Sequence, residues 1–167
     1  MSLRRLSAVV VSVWLVLGES LPCGAQATRK IDMAPEVQHT VEQALEHSAI
    51  IRSQWSRISD ADNVMVYIHV LSEPFAADMR ARTRVRKYTS GFLLAIVEIP
   101  SGEESVELLA HELEHVLEQI EGVNLRVLAC TNPTAAWRRR DGAYETARAQ
   151  QVGLAAALEA AGFGIRD

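Results

Sequence analysis

His111, Glu112 and His115 stand in the run Val106-Glu107-Leu108-Leu109-Ala110-His111-Glu112-Leu113-Glu114-His115-Val116-Leu117. Histidines four residues apart lie on one face of a helix, about 6 Å apart along its axis. Both imidazoles can therefore reach one divalent ion through bonds of about 2.0–2.1 Å. Glu112 projects close to the same face, where a carboxylate can hold and deprotonate a metal-bound water. These three residues describe a metal site with its own general base.

Such a site needs a helix, and the flanking sequence supplies one. Apolar residues recur at 106, 109, 110, 113, 116, 117 and 120, a spacing that buries one broad helical face. Ser101 and Glu104 form a capping box after Pro100, and Gly122 ends the pattern, which predicts a helix over about 102–121.

A catalytic zinc takes three protein ligands and keeps a fourth position for water, so one ligand is missing from the motif. Glu118 lies seven residues beyond His111, about 10 Å up the axis with His115 between them, and a single ion would be stretched to reach all three. Glu121 stands where metzincins place a third ligand, but the chain-turning glycine of that pattern is replaced by Glu118, which carries Glu121 off the metal face. Glu145 fits better. It falls in the first turn of a helix predicted from Asp141 to about Ala161, and an antiparallel helix can bring that turn across from His115. Arg148 or Asp141 is then placed to orient or neutralise the site.

A helix bearing His111, Glu112 and His115, followed by a helix bearing Glu145, resembles the gluzincin class of zinc metallopeptidases in a very small version. The resemblance is confined to those two helices and the strand Phe92 to Ile99. It implies a sheet whose edge strand aligns an extended peptide beside a Zn2+ ion, and peptide-bond hydrolysis with Glu112 as the base. This chain shows no obvious downstream His or Tyr for oxyanion stabilisation. Tyr144 adjoins Glu145, but neighbouring side chains on a helix point about 100° apart. The alternative is a secreted zinc-binding module without protease activity, and the presence of a general base at position 112 argues against it.

The remaining sequence predicts an α+β fold with a small sheet of about three strands, an N-terminal helix, the metal helix and a C-terminal helix carrying the third ligand. Pro35 opens a helix running to about Ser56 with Val37, Val41, Ala44, Leu45 and Ile51 inward, after a loose stretch over 28–34. Residues 64–71 read as a strand after the break at Asp60-Ala61-Asp62-Asn63. Residues 82–88 and 92–99 read as a hairpin about Thr89-Ser90-Gly91. Arg82, Arg84 and Arg86 share one face of that hairpin and suit an edge-protecting role, with substrate contact as the alternative. Residues 123–140 are too long for an ordinary connection, so they hold either a short helix or a loop lining the site. In the last helix Ala143, Ala147, Leu154, Ala155 and Leu158 are available for packing. His39, His47 and His69 read as lone packed or exposed histidines.

The first residues combine Arg4-Arg5, an apolar run of about a dozen residues and Ala25-Gln26-Ala27, the pattern of a cleaved signal peptide over 1–27. The apolar run is too short to favour a membrane anchor, and Pro22 makes Cys23 a poor lipidation site. Export to a periplasmic or extracellular location follows, with a single domain over 28–167 and no stable membrane insertion. The net charge of −4 becomes one unit more negative when Arg4, Arg5 and Glu19 are removed, which disfavours nucleic acid as a partner. A peptide or protein substrate is the partner implied. Cys130 is left without an internal disulfide partner and reads as a small buried apolar residue.

Overall fold

The computed structural model describes residues 30–71, 80–100 and 105–163. The signal peptide expected over 1–27 and the capping box expected from Ser101 and Glu104 lie outside the described residues, as do residues 72–79. Among those described, no helix is long and apolar enough to cross a membrane.

Strands β1 (Ile31–Met33), β2 (Val64–Val70), β3 (Arg82–Lys87) and β4 (Leu93–Ile99) form a mixed sheet in the order β1-β2-β4-β3. β1, β2 and β4 run parallel, and β3 returns antiparallel on β4 to become an edge. Alternation decides which face is covered. Val64, Val66 and Ile68 on β2 and Leu93, Ala95 and Val97 on β4 are buried on one face, whereas Met65, Tyr67, Leu94 and Ile96 on the other remain half-buried. The architecture is α+β, and the main sheet has four strands where about three were expected. The added strand is β1, within the stretch expected to be loose. Three residues are too few to show a period, and β1 is held by parallel pairing to β2.

The expected helix over 35–56 is two helices, α1 (Pro35–His47) and α2 (Ala49–Asp60). Ser48 breaks it: its backbone is extended, and its hydroxyl accepts the Ile51 N–H to cap α2. The same hydroxyl donates to Glu159, so the break is also tied to the far end of the chain.

Helix α3 (Ser105–Ile120) is the centre of the molecule, packed on β3 and β4 and against α2 and α5. Leu109, Ala110, Leu113, Val116 and Leu117 are buried, as their spacing requires. Gly122, at φ +76°, turns the chain out of the helix.

Residues 123–140 do hide a short helix, α4 (Leu125–Thr131), followed by β5 (Ala136–Arg138), which pairs with β6 (Tyr144–Thr146). None of α4 is buried, which leaves Cys130 exposed where burial was expected.

The last helix, α5 (Ala147–Leu158), starts later than predicted and leads into one wider turn, Glu159–Phe163. Thr146 accepts the Ala149 N–H through its hydroxyl and caps α5, while the residues just before it are extended against β5. The packing face also differs from expectation. Ala149, Gly153 and Ala156 are buried, and Leu154 and Leu158 are exposed, because small residues let α5 lie close along α3.

Candidate metal centre

His111 and His115 lie one turn apart on the face of α3 turned towards β6, their ring centroids 4.9 Å apart and their planes at 79°. Both Nε2 atoms face the same oxygen of Glu145, at 3.3 Å from His111 and 3.4 Å from His115. A tetrahedral ion with bonds of about 2.0–2.1 Å separates its ligand atoms by about 3.3–3.4 Å. The donors of all three side chains lie within 4.8 Å of one another, and this chemistry, two imidazoles and a carboxylate, fits a divalent cation.

Glu145 thus comes to the predicted position from an unpredicted element. It is the middle residue of β6, not a first-turn residue of the final helix, and the cap at Thr146 is the reason. Strand geometry also changes the position of Tyr144, which lines the cleft beside the three donors rather than diverging from them by a helical step.

Glu112 is 5% exposed, and its Oε2 has no hydrogen-bond partner among the described residues. An unpartnered buried carboxylate oxygen costs about 1–3 kcal/mol, a cost that a water at the metal position would offset. Burial pushes the Glu112 carboxyl above its ordinary value, opposed by His115, the Thr83 hydroxyl and His111, and supported by Glu145. The Thr83 hydroxyl, on the edge strand, donates to the Glu112 main-chain carbonyl over 3.1 Å, so β3 is fastened directly to the turn of α3 that carries Glu112.

The histidines and Glu145 polarise one another. Burial alone would lower the His115 imidazolium, but hydrogen bonds to Glu118 and Glu145 outweigh it and raise the group to about 10. Burial likewise opposes the charge on Glu145, and hydrogen bonds from His111 and His115 hold it well below the usual carboxylate range.

Several neighbours were not anticipated. Glu118, rejected as a ligand, faces His115 Nδ1 at 2.9 Å and receives the Thr146 hydroxyl at 2.7 Å. Its position three residues beyond His115 was the available signal. Arg139 Nη1 lies 3.9 Å from the outer oxygen of Glu145, and Asp141 Oδ2 lies 3.5 Å from Arg139 Nε. Of the two proposed orienting groups, Asp141 reaches the site through Arg139. Arg148 instead binds Glu114 and Glu121 on another side of α3.

A cleft of about 510 Å3 opens over the donors, lined by residues 81–85 of the edge strand and, from the opposite side, by Arg139, Asp141, Tyr144 and Glu145. Arg82 and Arg84 both pair with Glu98 across the sheet, and the Arg86 guanidinium lies over the Tyr88 ring. His39, His47 and His69 are exposed and lie outside the donor cluster.

No curated protein and no solved structure matches the chain. Residues 46–123 match the family model of the eCIS core domain, just under half of the chain, reaching from the end of α1 through the whole of α3 and stopping short of Glu145. Over that span, which contains His111, Glu112 and His115, the chain is similar to an eCIS core domain.

Proposed function

We propose that the protein is a small gluzincin-like metallopeptidase that binds Zn2+ through His111, His115 and Glu145 and hydrolyses peptide bonds. The observation that carries this reading is Glu112: a buried carboxylate with one unpartnered oxygen, beside a donor cluster of zinc-like chemistry. When bound, zinc supplies a Lewis acid for the scissile carbonyl and lowers the pKa of water towards about 7. Glu112 takes the proton from the attacking water and returns it to the leaving amine. His111, His115 and Glu145 supply the binding geometry, and Thr83 holds the turn bearing Glu112 against the edge strand.

The same edge strand offers a seat for substrate. Tyr88 donates its N–H to Phe92, so with the observed register the alternate residues Arg82, Arg84 and Arg86 are those bonded to β4. The N–H and C=O groups of Thr83, Val85 and Lys87 therefore point out from an edge that no strand among the described residues covers, and Thr83 and Val85 line the cleft. An extended peptide adding to this edge runs past the donor cluster.

A zinc-binding module without protease activity would use the same ligands but has no use for the buried carboxyl at position 112. The test is to purify the chain, measure zinc content, and compare peptide cleavage by wild type and Glu112→Gln. Equal zinc with cleavage lost in the variant supports the peptidase. Equal cleavage by both removes Glu112 from the mechanism, and stoichiometric zinc without cleavage by wild type favours the binding module.

A further inference from the structure

His115, Glu118, Thr146 and Glu145 form a continuous hydrogen-bonded circuit. His115 Nδ1 lies 2.9 Å from Glu118 Oε2, the Thr146 hydroxyl donates to Glu118 Oε1 over 2.7 Å, and the Thr146 main-chain N–H donates to Glu145 Oε1 over 2.8 Å. Glu118 and Thr146 are 2% and 1% exposed, so water does not compete for these bonds. The hydroxyl has one proton to give. Because it already accepts the Ala149 N–H at 3.0 Å, that proton is committed to Glu118.

A carboxylate is an acceptor only, so Glu118 requires the proton of His115 to sit on Nδ1. That choice keeps the Nε2 lone pair for a metal, and Nε2 is the atom that faces Glu145. The circuit also spans two elements. His115 belongs to α3 and Glu145 to β6, and nothing local to either fixes the distance between them. Thr146 does so by bonding the carboxylate behind one ligand with its hydroxyl and the other ligand itself with its N–H.

We propose that Glu118 is a positioning residue for the metal site and that Thr146 is the pin joining its orientation to that of Glu145. This inference rests on the metal-binding part of the proposed function and not on peptide hydrolysis.

The test is zinc affinity of the purified chain at one pH, measured by competition with a chromogenic chelator, with thermal unfolding of the zinc-free protein recorded in parallel. Glu118→Met keeps the side-chain length but removes the acceptor, and a folded variant is expected to bind zinc about 10–100-fold more weakly than wild type. Glu118→Gln retains a carbonyl acceptor and is expected to recover part of that loss. Thr146→Val, which loses only the hydroxyl, is expected to weaken binding by a smaller factor. A purely structural role would lower thermal stability and leave the affinity of the folded variants unchanged. Folded Glu118→Met binding zinc within twofold of wild type overturns the inference.

A second measurement depends on no variant. In zinc-loaded wild type labelled with 15N, the His115 ring is expected to carry a slowly exchanging proton on Nδ1. An unprotonated Nδ1, or metal bound through it, overturns the inference. Wild type that takes up no stoichiometric zinc fails the metal reading itself, a result distinct from zinc-replete wild type matched by Glu118→Met.

Discussion

Gly153 of α5 lies directly against His111 of α3: a Cβ at position 153 would stand 3.1 Å from the His111 Cβ and 2.9 Å from the Glu107 main-chain oxygen. Absence of a side chain at this point lets the two helices approach closely beside the first metal ligand. Gly153→Ala is expected to destabilise the fold by about 1–3 kcal/mol, because a backbone oxygen cannot move aside as a flexible side chain can. That clash outweighs the gain of up to about 1 kcal/mol that alanine normally brings to a helix interior. Thermal unfolding checks the sign, and a variant more stable than wild type would refute the close packing.

Glu112→Gln separates binding from chemistry. The variant is expected to retain zinc at wild-type stoichiometry and lose at least about 100-fold in cleavage rate, since the neutral amide cannot take a proton. Its zinc-free stability is expected not to fall, because the substitution replaces a buried carboxyl whose Oε2 has no partner among the described residues. Metal analysis, a peptide assay and a melting curve on one preparation settle all three.

Zinc is expected to raise the melting temperature, because ligands that bind only the folded chain stabilise it by mass action, about 2.7 kcal/mol when zinc is present at 100 times its dissociation constant. A chelator should return the curve to that of the zinc-free protein. Glu145→Gln removes the charge that faces both Nε2 atoms, and it should abolish most of the zinc-induced shift. A shift as large as that of wild type would exclude Glu145 as a ligand.

Glu121 predicts a pH effect away from the metal. Its hydrogen bond from Arg148 lowers the carboxyl below the ordinary 4.5 despite opposition from burial, with the charges of Arg148 and Arg57 adding to the effect. A carboxyl with a depressed folded-state pKa stabilises the fold above its unfolded value, and that contribution disappears as pH falls through 4.5 towards the folded value. Wild type should therefore exceed Glu121→Gln in stability at neutral pH, by no more than about 1 kcal/mol because the pair is partly exposed. The two curves should converge in acid. A difference that persists unchanged to pH 2 would assign the effect to packing.

By itself the sequence determined the helix α3 and the pairing of His111 and His115 on one face of it, because a 3–4 periodicity of apolar residues and the four-residue spacing of the histidines are local properties of one segment. β2 and the β3–β4 hairpin were legible for the same reason, in a β-branched run bounded by turn formers, the alternation of residues 82–88, an apolar run and a glycine turn. Glu118 and Glu121 were set aside on the geometry of the motif helix alone, whereas Glu145 was chosen on an expected antiparallel last helix and is brought to the histidines by β6 instead.

Tertiary structure decided the rest. β1 has too few residues to show a pattern and is held by its pairing to β2, and the α1–α2 break depends on a Ser48 cap that Glu159 reaches from more than a hundred residues away. The strand bearing Glu145 depends on pairing with β5, so no reading of residues 141–147 alone could separate it from a helix start. Glu118 stands beside His115 by its spacing within α3, but it met Thr146 only when α5 packed on α3. Contacts between elements distant in sequence arise from the closure of the whole core, and the spacing of residues within one element carries no record of them.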